Sequence, residues 1–315
     1  MAISRIKRAL TRYLRGSENL QTTPSTFRFE IGSKKITGIR LLQRKNSDTL
    51  GKVGMLSWSA SMGEKRVKIY ECRSAEQARF IEQLSNDDRF RDYLPECYYR
   101  KNEFLVVEWV EGRSVTWSDF INDSQLMDKM TAVHHRFHVQ AVDYWPDEKC
   151  YFFDYLESRF NRFRNVLPLD DFVSRVMNIL QEDMPRNPLK LSHPDVTPVN
   201  VIYDGKTQKF KAIDNDLFTQ TSYYLVDLFT TQRSMSGLPE EVLREYLVSY
   251  LNNGGNLAPL INHESFFNAL WTYRLVGTSL QEGLEEKGVM LARRFLDGTL
   301  PTHPVIETIR KQKLY

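Results

Sequence analysis

Apolar positions along the chain change rhythm once. From residue 27 to about residue 110 they come in short runs. Phe27, Phe29 and Ile31 alternate, and β-prone stretches follow at 36–42, 53–59 and 66–70. The polar run Asn46-Ser47-Asp48-Thr49-Leu50-Gly51-Lys52 and the turn Met62-Gly63-Glu64 separate them, which predicts an antiparallel meander. Ser74 stands where a helix cap belongs, with Gln77 three residues on and Phe80, Ile81 and Leu84 as the apolar face. After Pro95, the dense β run at 103–110 stops at Glu111-Gly112. From about Ser118 the spacing turns helical, through 127–142, 152–166 and 172–180. Strands early and helices late predict an α+β protein of two lobes. No fixed-period repeat or low-complexity segment interrupts the pattern.

Composition narrows the picture. A chain of 315 residues, 41% hydrophobic, is long enough for two lobes with sizeable cores. Its 43 Lys and Arg against 40 Asp and Glu leave a net charge of +3, which speaks against a nucleic-acid partner. Cys72, Cys97 and Cys150 have no metal-type spacing and suit reduced thiols, pointing to the cytoplasm. No run reaches the roughly 18 apolar residues of a spanning helix. Residues 1–16 form a basic amphipathic stretch, with Arg5, Lys7, Arg8, Arg12 and Arg15 beside Ile3, Ile6, Leu10 and Leu14. It fits a peripheral contact with the anionic inner face of a membrane, or docking on the protein's own surface.

The densest chemistry lies in 191–216. His193-Pro194-Asp195 is followed by Asn200, two short β runs flank the turn dipeptide Asp204-Gly205, and Ile213-Asp214-Asn215-Asp216 closes the stretch. A hairpin there brings Asp195, Asn200 and Asp214 into one small volume. Two oxygen ligands, Asn200 and Asp214, suit a hard cation such as Mg²⁺ that also takes phosphate oxygens. Asp195 is then available to orient a hydroxyl and accept its proton.

His193-x-Asp195-x4-Asn200 followed by Ile213-Asp214 resembles the catalytic and metal loops of kinase-like small-molecule phosphotransferases, the superfamily of aminoglycoside phosphotransferases and choline kinases. The resemblance covers about residues 36–230. Pro194 stands where that superfamily usually has Gly, Asn215 where it has an aromatic, and Asp216 where it has Glu. The resemblance implies a bilobal protein-kinase-like fold: an N-terminal antiparallel sheet plus helix, and a larger, mainly helical C-terminal lobe. Its expected divisions are a basic extension at 1–24, a nucleotide-binding lobe at 25–112, and a lobe at 113–315 carrying the catalytic loop and acceptor site. It implies ATP and Mg²⁺ as cofactors and a small-molecule hydroxyl as acceptor. Lys68 is the expected phosphate-binding lysine, with Glu76 its helix partner and Glu82 the alternative. Glu108, Trp109 and Val110 form the expected hinge facing adenine, Ser47 and Gly51 the expected phosphate contacts, and Val226-Asp227-Leu228 the structural Asp-Leu.

Two alternatives follow from the departures. Pro194, Asn215 and a phosphate loop without a Gly-rich motif fit a non-catalytic pseudokinase that binds nucleotide or a partner. The basic N-terminus, with the aromatic-arginine run at 151–164, fits a kinase of a membrane-surface glycan. His134 and His138 stand one helical turn apart, but the Glu of a zinc H-E-x-x-H motif is missing. One of His134 and His135 is expected to pack near the catalytic loop, as the helix His of the resembled superfamily does.

Overall fold

The computed structural model describes residues 29–31, 34–41, 57–145, 169–229 and 239–315. The basic N-terminus, the 46–52 loop with Ser47 and Gly51, Cys150 and the 151–164 run lie outside the described residues.

The first lobe is a six-stranded antiparallel sheet. Its strands are β1 (Phe29–Ile31), β2 (Lys34–Leu41), β3 (Ser57–Met62), β4 (Lys65–Glu71), β5 (Cys97–Lys101) and β6 (Phe104–Glu108), in the order β1-β2-β3-β4-β6-β5. Strand alternation divides its residues between two faces. Trp58, Ala60, Val67, Ile69 and Val106 close a small core on one side. Tyr70, Leu105 and Val107 turn to the other, against helix α1 (Ala75–Asn86). Lys68, paired with Val107 across the sheet, shares this second face. The Ser74 hydroxyl caps α1 by accepting from the Gln77 amide at 3.1 Å, and Phe80, Ile81 and Leu84 are buried.

Strand β5 is an addition to the elements read from sequence. It joins β6 through Asn102-Glu103, where Asn102 takes a positive φ of 52° that its short polar side chain tolerates. The run expected to reach residue 110 ends at Glu108, because the chain then crosses to the second lobe. At Gly112, with φ 129°, an added Cβ would lie 2.4 Å from the Tyr203 carbonyl oxygen. Only glycine permits so close a crossing.

The second lobe is mainly helical. It contains α2 (Trp117–Asn122), α3 (Ser124–His138), α4 (Asp170–Glu182), α5 (Glu240–Asn252), α6 (Ala258–Asn262), α7 (Glu264–Gln281), α8 (Glu285–Leu296) and α9 (Pro304–Gln312). Two small sheets carry the loops of interest: β7 (Arg113–Ser114) with β9 (Val201–Asp204) and β10 (Lys209–Ala212), and β8 (Lys190–Ser192) with β11 (Thr219–Thr221). The β9–β10 hairpin forms as expected from its two β runs, but its turn is longer than a dipeptide. Asp204 pairs with Lys209, and the left-handed residue is Gln208 rather than Gly205. The Asp204 carboxylate organises the loop, accepting from the Lys206 amide at 2.9 Å and the Thr207 hydroxyl at 2.7 Å. No helix among the described residues is long and apolar enough to cross a membrane.

Candidate active site

A cleft of about 270 Å³ opens between the sheet and the β9–β10 hairpin. Lys68 and Tyr70 enter it from β4, Val107 and Glu108 from β6, Trp109 and Val110 from the hinge, and Ile202, Ile213 and Asp214 from the hairpin and its exit. Strand alternation explains the first lobe's share, since Lys68, Tyr70 and Val107 occupy one face of the sheet. Trp109 is stacked under the Arg66 guanidinium, 3.5 Å from the ring centroid. Glu108 is anchored from the second lobe by Lys211 at 2.5 Å, so the hinge and the hairpin are tied together. A second tie is the Ala212 amide, which donates to the Tyr93 carbonyl at 2.8 Å.

Lys68 meets a different counter-charge from the helix glutamate expected of it. Its ammonium lies 2.7 Å from Asp214 Oδ1, with side-chain exposures of 20% and 28%. Glu82 is engaged by Arg100 at 2.5 Å, and Glu76 sits half-buried in the first turn of α1. The physical reason is proximity across the cleft: Asp214 leaves the hairpin directly beneath the β4 face that carries Lys68.

Asp214 has φ 59° and ψ 49°, a left-handed conformation that non-glycine residues seldom adopt. Hydrogen bonds bracket it. On one side the Ile213 amide donates to the Asn200 carbonyl at 2.8 Å, bringing the two candidate metal ligands together at the open end of the hairpin, one just before β9 and the other just after β10. On the other, Asn215 is buried and its Oδ1 lies 3.1 Å from His193 Nε2. His193 Nδ1 accepts from the Asp195 amide at 3.3 Å, so the ring proton sits on Nε2 and is donated to Asn215. The polar residue in place of an aromatic thus has a partner of its own. His193 also meets Phe218 edge-on at 4.8 Å, and burial holds its pKa below the ordinary histidine value.

Asp195 is held from two sides. Asn200 Nδ2 donates to its carbonyl at 2.8 Å and to Oδ2 at 3.1 Å, while Arg274 reaches Oδ1 at 2.9 Å. Because the Asn200 amide nitrogen is committed to Asp195, its carbonyl oxygen is the end left for a cation. One carboxamide oxygen and one carboxylate, Asn200 and Asp214, fit a hard cation that completes its shell with phosphate oxygens and water. No group of three or more His, Cys, Asp or Glu side chains suited to a metal occurs among the described residues.

Beneath the loop lies a buried polar network that the sequence indicated only through its Asp-Leu pair. The Asp227 carboxylate receives His138 Nε2 at 2.7 Å and the Ser192 hydroxyl at 3.3 Å, and His138 Nδ1 meets the Tyr250 hydroxyl at 2.8 Å. Both His138 nitrogens are therefore occupied. Burial alone would raise the Asp227 carboxyl, but His138 and its neighbours hold it below the ordinary carboxylate value. His134 packs beside the His193–Asn200 loop, with Val196 and His193 among its neighbours, and burial lowers its pKa to about 4. Arg274, on the opposite side of Asp195, escaped the sequence reading. Its only signal is a cation within the otherwise uncharged helical run 266–280.

Sheet, hinge, hairpin and helical lobe together make a bilobal protein-kinase-like fold. Solved structures of similar fold include an amicoumacin kinase in complex with AMP-PNP, Ca²⁺ and Ami, with TM-score 0.59 and 14% identity over 91% of this chain and 96% of that one. A choline/ethanolamine kinase family protein from Mesorhizobium loti superposes with TM-score 0.56 and 14% identity, over 96% of this chain and 99% of that one. An ethanolamine kinase from Plasmodium vivax gives TM-score 0.55 and 12% identity, over 84% and 82%. No protein-family profile and no curated protein sequence matches the chain.

Proposed function

We propose that the protein is an ATP- and Mg²⁺-dependent phosphotransferase that moves the γ-phosphoryl group to a hydroxyl of a small molecule of the sugar, amino-alcohol or aminoglycoside type. The observation that carries this reading is the meeting of Lys68, Asp214 and the hinge residues Glu108 to Val110 around one cleft, with Asn200 and Asp195 on the adjoining loop. Residues 25–112 then form the nucleotide lobe and 113–315 the acceptor lobe, with adenine against the hinge and Ser47 and Gly51 serving the phosphates. Asn200 and Asp214 would hold the Mg²⁺, which when bound neutralises charge on the β- and γ-phosphates. Lys68 contributes a second positive charge to the phosphates. Asp195 orients the acceptor hydroxyl and takes its proton. Positioning and electrostatics supply most of the rate, because the transition state for phosphoryl transfer is loose.

Asn215 bears on the non-catalytic alternative. Its hydrogen bond to His193 couples the metal loop to the catalytic loop, which supports a working site. Magnesium-dependent ATP consumption, screened across neutral sugars, amino alcohols and aminoglycosides, tests the reading. Tight Mg·ATP binding without turnover on any acceptor or on water would leave a nucleotide-binding pseudokinase. The cytoplasmic placement and the peripheral membrane contact of residues 1–16 form a separate part of the proposal. They are tested by liposome co-sedimentation of the full chain against a chain lacking residues 1–24.

A further inference from the structure

Arg274 projects from the middle of α7, among Phe266, Phe267, Leu270, Tyr273 and Val276, all buried. Its own side chain is 9% exposed. A cation in such surroundings is costly unless its charge and its donors are met. One amino group of its fork donates to the Pro194 carbonyl at 2.8 Å and the other to Asp195 Oδ1 at 2.9 Å. It thus grips the backbone and the side chain of the catalytic loop at once, from a helix some eighty residues away in sequence. The Asp195 carboxylate is 36% exposed and offers about four lone-pair positions. Arg274 takes one on Oδ1 and Asn200 one on Oδ2, so each oxygen keeps a position for an acceptor hydroxyl.

We propose that Arg274 is a positioning residue that fixes the rotamer of Asp195 toward the acceptor, with Asn200 as the opposing constraint. This rests on the phosphotransferase reading above. Pro194 belongs to the same arrangement. It lacks an N–H and has a fixed φ, and its carbonyl is the atom that Arg274 holds. Lysine cannot replace the arginine here, because a single ammonium lacks the planar fork that spans both acceptors.

The test is a double-mutant cycle on ATP turnover with Arg274→Gln, Asp195→Asn and the double variant. The assay uses whichever sugar, amino alcohol or aminoglycoside the screen identifies, or water where none is found. Displacing a catalytic group by about 1 Å costs roughly 10²-fold, so Arg274→Gln should lower kcat by about that factor while leaving the KM for Mg·ATP unchanged. Arg274→Lys should recover little of the loss. In the Asp195→Asn background, Arg274→Gln should have almost no further effect, because the group it positions is already gone. Losses that multiply would make Arg274 a general structural residue and overturn the proposal. So would wild-type kcat in Arg274→Gln. Absence of turnover in the wild type is a different failure: it removes the phosphotransferase reading itself, and this inference with it.

Discussion

Asn215→Leu tests whether the departure at position 215 is a working part of the site. The side chains are similar in size, and position 215 is only 4% exposed, so the change removes a hydrogen-bond acceptor with little loss of packing. His193 is fully buried, and its Nε2 proton is donated to Asn215 Oδ1 at 3.1 Å. Without that acceptor a buried N–H is left unpaired, at a cost of about 1–3 kcal/mol. Protonation offers no escape, because burial already disfavours the imidazolium. At about 2.1 cal/mol/K of unfolding entropy per residue, each kcal/mol shifts the Tm of a 315-residue chain by about 1.5 °C, so thermal melting should fall by roughly 1.5–5 °C. A second variant, His193→Phe with Asn215→Leu, replaces both partners by apolar groups and should melt above the sum of the two single losses. Calorimetry and urea denaturation would report both effects. A Tm for Asn215→Leu within 1 °C of wild type would show that the His193–Asn215 bond does not secure the loop.

Other predictions follow from assigned roles. Asp214→Ala should lower Mg·ATP affinity at least about 10-fold by removing the charged cation ligand, and unchanged affinity by titration calorimetry would count against the site. Asp195→Asn should lower kcat by roughly 10²–10⁴ while nucleotide affinity stays level, since the residue faces the acceptor; wild-type kcat would remove Asp195 from the mechanism. His134 has a folded pKa of about 4, below its ordinary 6.5, so the unfolded chain binds the extra proton between those values. Stability from this group is therefore complete above about pH 6.5 and declines as pH falls toward 4, by on the order of 3 kcal/mol. His134→Gln should flatten that slope in melting curves taken from pH 7 to 4, and an unchanged slope would place the proton elsewhere.

What could be read from sequence, and what could not, divides along physical lines. The strands carrying Lys68 and the hinge were legible because short β-prone runs bounded by turns mark strands, and a sheet buried on both faces yields a dense run such as 103–110. The Ser74 cap was legible because its partner is three residues away. Strand β5, Cys97–Lys101, was not, since its Tyr98 and Tyr99 are both only half-buried and its turn depends on Asn102 accepting a left-handed backbone. The Asp195, Asn200 and Asp214 convergence was legible because one short hairpin creates it. The Lys68–Asp214 pair and the Arg274–Asp195 pair span 146 and 79 residues, and no local spacing encodes contacts of that range.

The metal loop reaches its working shape through the chain's own bonds. A left-handed Asp214 is a strained conformation that persists only where its surroundings over-determine it. Here the Ile213 amide on the Asn200 carbonyl fixes the residue before it, and the Asn215 bond to His193 fixes the residue after it. Nucleotide binding therefore need not build the loop. Under the proposed function it would exchange the Lys68–Asp214 ion pair for contacts to phosphate and cation. At 20% and 28% exposure that pair sits near solvent and is worth on the order of 1 kcal/mol, so the exchange costs little. Lys68 and Asp214 hold each other close to the positions from which each would act, one on the phosphates and the other on the cation. On the proposed function, Arg274 and Asn200, which hold Asp195 from two sides, set how it is presented to the acceptor.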